Sequence, residues 1–423
     1  MKHVRTLGGF VAHLDRTVRH LPFFEALAGL EESSAEWRAT TAGLVVLRLV
    51  DSWFEEGTSI ASADAWGLNA VREAVEEMDA GTPARTILSG VVDAVASAPR
   101  ADFSLIAPRL SAYGRALHFD AKWRQAADVN ETLLAYAHPI DEADVCINAS
   151  MQLGFCLRML GAWDEAAAAY ADAGRLAMSM GDVVGILRSQ IADARLSVAR
   201  GNLPRAEEIL DGTIVRAKSE ALKDVLGLAL HERATVANER GQYERSIRFG
   251  YEALSNTTRD TARDRVLADI AVSFMELGVT SVARDAFLIL AATGQEQYVR
   301  WAASLNLLDI AIADGSEPAF EAYRRELAQA SLPIELEVNF HILVGKGYHA
   351  FGRSDRARAS LVQAVELASQ NRLNQLLFNA EQNLRQLEVG ERVAARTAVE
   401  TPEEVADVAS AIRLMLATAD VGG

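Results

Sequence analysis

Apolar positions along this chain recur at the three-to-four-residue spacing of helices. Val405, Val408, Ile412 and Leu416 follow one another in that rhythm near the C-terminus. The apolar run from Gly43 to Val50 is broken by Arg48. It reads as a buried helix, since a membrane span needs roughly 18 uncharged apolar residues. Helix formers fill nearly every segment and runs of β-branched residues are short, so the pattern predicts an all-α protein.

The punctuation between apolar stretches is periodic. Small residues at Ala121, Gly161, Gly201, Gly241, Gly278, Gly315 and Gly352 are 40, 40, 40, 37, 37 and 37 residues apart. Each stands between two helical stretches, where a tight turn needs backbone freedom. Seven residues before each stand Gly114, Gly154, Ala194, Ala234, Ala271, Leu308 and Gly345; five after stand Ala126, Ala166, Ala206, Ser246, Ala283, Phe320 and Ala357. Small residues at these positions predict closely packed helical hairpins. Leu308 and Phe320 break the rule together, so there either the helices stand further apart or the register slips.

The segment Gly154-Phe155-Cys156-Leu157, then Gly161-Ala162-Trp163-Asp164-Glu165-Ala166 and Tyr170, resembles a tetratricopeptide repeat, as does Gly345 to Gly352 with Ala357, Leu361 and Ala364. The resemblance covers about residues 101–370 and, more weakly, 38–100, where Ala74 and Gly81 keep the spacing. It implies a right-handed superhelical solenoid of antiparallel helix pairs, similar to arrays in bacterial signalling and transcription regulators. The expected organisation is N-terminal helices with degenerate repeats over 1–100, seven hairpins over 101–370, and capping helices over 371–423. Thr401-Pro402-Glu403-Glu404 has the pattern of a capping box and starts a helix expected to close the exposed end of the core.

Net charge is −16, with residues 31–80 carrying eleven acids against three bases. That argues against nucleic-acid binding. Residues 1–20 are basic through Lys2, Arg5, Arg16 and Arg19 against Asp15, and read as a solvated capping helix. With no secretory signal pattern, the expected location is the cytoplasm, without membrane attachment. Cys146 and Cys156 fall on one helix about 15 Å apart, too far for a disulfide, and read as small core residues. No catalytic motif stands out, and the expectation is a protein that is not an enzyme and needs no cofactor or metal. His13 and His20 share a helical face with no carboxylate pair in view; His341 and His349 do not make a metal pair. Gly345-Lys346-Gly347 faintly suggests a phosphate loop, but its glycines already have repeat positions.

The resemblance also implies a binding groove, lined by the second, fifth, ninth, twelfth and thirteenth positions of each repeat's first helix. Those positions hold Arg115, His118, Arg158, Arg188, Arg195, His231, Arg265, Lys346 and His349, against the acids Glu239, Glu276 and Asp309. Asn148, Asn238 and Asn339 add amides, Met151 and Phe155 an apolar contact. The expected function is a protein- or peptide-binding scaffold or adaptor whose basic groove takes an acidic or carboxylate-ended peptide, with Arg158, Arg188 and Arg195 at its centre. The opposing interpretation is that these cations pair with acids on neighbouring helices and hold the repeats together. A second function class is a ligand-responsive sensor acting on a separate effector. A homodimer is compatible with both.

Overall fold

The computed structural model describes residues 19–56, 65–98, 100–138, 142–330, 332–371, 373–390 and 399–419. Lys2, Arg5, His13, Asp15 and Arg16 lie outside them. The described residues form twenty α-helices and one short 3-10 helix, with no strand. Two compact units are present, Met1–Ile209 and Leu210–Gly423.

Four helices come first: α1 (Leu21–Ala28), α2 (Ala35–Glu56), α3 (Ala65–Glu76) and α4 (Pro83–Ser97). Seven consecutive pairs follow. They are α5 (Phe103–Phe119) with α6 (Trp123–Ala137), α7 (Ala143–Met159) with α8 (Trp163–Met180), and α9 (Val183–Ala199) with α10 (Leu203–Ser219). Next come α11 (Lys223–Glu239) with α12 (Tyr243–Asn256), and α13 (Asp260–Glu276) with α14 (Thr280–Thr293). The last pairs are α15 (Gln297–Ala313) with α16 (Glu317–Leu327), and α17 (Ile334–Ala350) with α18 (Ser354–Gln370). Helix α19 (Asn374–Val389) and helix α20 (Ala406–Thr418) end the described chain.

The first helix of every pair is 17 residues long. The change of period from 40 to 37 therefore lies in the second helices and the linkers that follow them. Leu203–Ser219 has 17 residues, whereas Tyr243–Asn256 and Thr280–Thr293 have 14. Helix α12 stops early because Thr257 turns extended (φ −96°, ψ 124°).

All seven small turn residues adopt the left-handed backbone, from φ 57° at Ala121 to 85° at Gly278. The residue after each donates its N–H to the carbonyl five back, as in Ala162 to Leu157 (2.9 Å) and Gln242 to Ala237 (2.9 Å). This satisfies carbonyls left over at the helix end. Gly181 and Ala221 make the same turn between one pair and the next, so a turn recurs every 20 residues from 161 to 241. Gly81 lies in a turn between α3 and α4 but is absent from the left-handed set.

The small residues act as expected, with one refinement. All seven residues five after the turn are buried. In one pair the close approach is explicit, because Ser246 Oγ donates to the Ala234 carbonyl at 2.9 Å. The glycine seven before the turn, however, makes room for a larger residue nine after it. A Cβ on Gly154 would stand 2.5 Å from the Tyr170 ring, and one on Gly345 2.5 Å from Leu361.

At the irregular pair the register holds, since Gly315 keeps φ 67°. The fully buried Phe320 ring fits because the next repeat has glycine facing it; a Cβ on Gly347 would come within 2.2 Å of that ring. Phe320 also packs on Tyr348 and Phe351 (centroids 5.5 and 5.3 Å). Gly345 and Gly347 are thus packing residues. Cys146 and Cys156 are buried on α7 and form no disulfide, and burial pushes the Cys156 thiol up to about 12.

The C-terminal helix corrects an expectation. Helix α20 packs on α14 and α12 instead of closing the end of the array, with Val405, Val408 and Ile412 buried. Arg248 pairs with Asp407 at 2.8 Å, and Val399 N–H reaches the Gly278 carbonyl at 3.4 Å. Helix α19 is the one that packs on the last pair. No capping-box bond forms at Thr401 to Glu404; Glu403–Val405 is the 3-10 turn and Val405 precedes α20. Apolar burial against the second helices decides the position, which the local start signal does not encode.

Candidate functional site

In the first unit the exposed side of the first helices carries a contiguous aromatic and cationic column. His118 at the end of α5 stacks on Phe155 of α7 (centroids 4.2 Å, planes 15° apart), and Trp123 of α6 packs on both rings. Arg158, one turn beyond Phe155, lies over that ring at 5.0 Å, a cation–π contact. Burial raises the Tyr170 pKa, opposed by its hydrogen bond with Arg158 and the charges of Arg158 and Arg195. The turn register explains the column. Arg115, Phe155 and Arg195 all stand six residues before their turns, so successive first helices present them in one row.

Arg115 and Arg188 are exposed and have no hydrogen-bond or ion-pair partner among the described residues. Asn148 stands in the same register as Arg188, is exposed, and donates only to its own helix, to the Asp144 carbonyl (2.8 Å). Met151 is half-buried and packs with Ala166, Tyr170 and Leu196 instead of standing free.

The second unit differs. Three of the cations expected to face a groove meet an acid of the neighbouring repeat: His231 Nε2 with Asp269 (2.6 Å), Arg265 with both oxygens of Glu296 (2.9 Å each), and Lys346 with Asp309 (2.9 Å). Asn238 donates to Ser273 Oγ at 2.8 Å. Glu296 sits just before α15 and Asp269 on α13, so these bonds link neighbouring repeats. Between α13 and α15, floored by Phe287 and Leu290 of α14, is a cavity of about 380 Å3.

A third cluster was not visible in the sequence. His20 is not without carboxylates: its Nδ1 lies 2.6 Å from Asp128 and its Nε2 3.1 Å from Asp51. Tyr136 donates to the other Asp51 oxygen at 2.6 Å, and Arg19 reaches Tyr136 (3.1 Å) and Asp51 (3.0 Å). His20 has φ 63° and precedes α1. Burial opposes its charge, but the bonds and charges of Asp128 and Asp51 outweigh it and hold the imidazolium up to about 9. Asp51 is held below the ordinary carboxylate range: its burial is outweighed by bonds from His20 and Tyr136 and by the charge of His20. The partners come from α2 and α6, at separations no local pattern reveals.

Among solved structures, the chain is similar to the apo form of the quorum sensor NprR from B. thuringiensis (14% identity, TM-score 0.43, covering 91% of this chain and 96% of that one). It is also similar to the Rap conjugation gene regulator of plasmid pLS20 in complex with the Phr* peptide (10% identity, TM-score 0.48, 85% and 99%). A tetratricopeptide repeat protein from Parabacteroides merdae ATCC 43184 is a third (16% identity, TM-score 0.35, 79% and 99%). No family model matches the chain, and no curated protein matches it. The helical-repeat fold stands on the chain's own turns and helix pairs. No helix among the described residues is long and apolar enough to cross a membrane.

Proposed function

We propose that the protein is a binding scaffold whose first unit takes an acidic peptide along the exposed side of α5, α7 and α9. The observation that carries this is the pair Arg115 and Arg188, exposed and without partners among the described residues. They flank a column in which Arg158 is already held against Phe155. An unpaired exposed guanidinium offers two parallel N–H bonds to a carboxylate. The preordered His118, Phe155 and Trp123 rings supply apolar area at little cost in side-chain entropy. In the second unit His231, Arg265 and Lys346 already have carboxylate partners, which favours the first unit as the acceptor surface.

The test is fluorescence anisotropy with a labelled decapeptide of alternating glutamate and phenylalanine. Arg115→Ala/Arg188→Ala is expected to weaken binding by about tenfold or more, the loss of charged hydrogen bonds. Arg265→Ala, whose guanidinium is already taken by Glu296, is expected to bind as wild type. Equal affinity for wild type and the double variant would overturn the proposal.

A further inference from the structure

The cavity of the second unit is unused by that function and has its own chemistry. Its walls are the facing sides of two first helices: Ala268 and Val272 on α13, Ala302 and Ala303 on α15. The short side chains keep the helices' facing surfaces from filling the space between them. Phe287 and Leu290, both fully buried, form an apolar floor. Its volume, about 380 Å3, is that of a pocket for a small ligand or one large residue.

The mouth is selective in charge. Arg265 and Glu296 both line it and offset each other's charge, Arg265 Nη2 reaching both Glu296 oxygens. Asp269 also lines it, with a side chain 57% exposed. One Asp269 oxygen meets His231 at 2.6 Å, and its Oδ1 has no partner among the described residues. An apolar slot beside an available carboxylate oxygen complements a bulky apolar group next to an ammonium.

We infer that this cavity binds a bulky aromatic or aliphatic group bearing an adjacent ammonium, with the ammonium on Asp269 and the apolar group over Phe287 and Leu290. Two sources carry that chemistry: a free hydrophobic amine, and the N-terminal residue of a peptide. The inference is independent of the acidic-peptide function, since the cavity uses neither Arg115 nor Arg188.

The experiment is calorimetric titration of the full chain with 2-phenylethylamine and with the peptide amide Phe-Ala-Ala-Ala, each against its N-acetylated form. Binding of either probe, with its acetylated form at least about tenfold weaker, is expected and identifies the source. Asp269→Asn should reduce affinity by a similar factor, and Ala302→Leu should remove binding by filling the slot while thermal melting shows the fold retained. Ala268→Leu tests the slot from the opposite wall should Ala302→Leu melt early. The Arg115→Ala/Arg188→Ala variant should bind both probes as wild type. Acetylated probes binding as well as free amines, no binding by either probe, or unchanged binding in Asp269→Asn would each overturn the inference.

Discussion

At the scale of single residues, His20 ties the stability of the first unit to pH. Its folded pKa of about 9 exceeds the unbound value of 6.5, so its contribution is complete below pH 6.5 and fades as pH rises through 9. A shift of that size corresponds to at most about 3 kcal/mol. Asp51 sets the opposite edge: its folded pKa is depressed, so its contribution is present above the unfolded value of about 3.9 and is lost as pH falls through the folded one. Urea unfolding followed by circular dichroism should therefore show a lower midpoint at pH 9.5 than at pH 6. His20→Gln should abolish most of that difference. None of this was legible in the sequence, because the carboxylates that hold His20 come from α2 and α6. The arginines show the converse limit. Helical register identifies which face Arg115, Arg188 and Arg265 occupy, but whether a guanidinium is free depends on acids such as Glu296 arriving from another helix.

At the scale of elements, turn spacing was readable because the motif is local. A left-handed residue and an N–H reaching five residues back require glycine-like freedom at one position, and the chain repeats it. Where alanine takes that position, as at Ala221, the turn escapes a search for glycine. The pair around Leu308 and Phe320 shows how a local irregularity is resolved elsewhere: the ring enters space left by Gly347 in the next repeat. Gly347→Ala should thus destabilise the second unit by about 1–3 kcal/mol through overpacking. Phe320→Ala alone leaves a cavity and should cost about 3–5 kcal/mol. In a double-mutant cycle measured by chemical unfolding, the two losses should be markedly less than additive, because either change relieves the other's contact. Additive losses would place the two residues out of contact.

At the scale of the whole molecule, the C-terminal helix is bound to the second helices of pairs in the middle of its unit. Removing residues 391–423 uncovers the surface that Val405, Val408 and Ile412 bury, each of which contributes roughly 1.5–3 kcal/mol of transfer free energy. The truncated chain should melt roughly 5 °C lower or more by circular dichroism and should bind a hydrophobic dye that the full chain excludes. An unchanged melting temperature would show that α20 contributes nothing to stability. The helix was recognisable from its apolar spacing, but its docking surface was not, since any terminal amphipathic helix can cover any apolar surface of matching shape. The same division holds throughout the protein. The sequence by itself determined the all-α class, the seven turns and the small residues that let paired helices approach, because each depends on interactions within about 40 residues. Tertiary structure alone decided which arginines stay unpaired, where a cavity opens between α13 and α15, and that His20 is held as a buried cation. Those depend on which side chains meet across helices distant in sequence, and a periodic pattern constrains spacing without specifying partners.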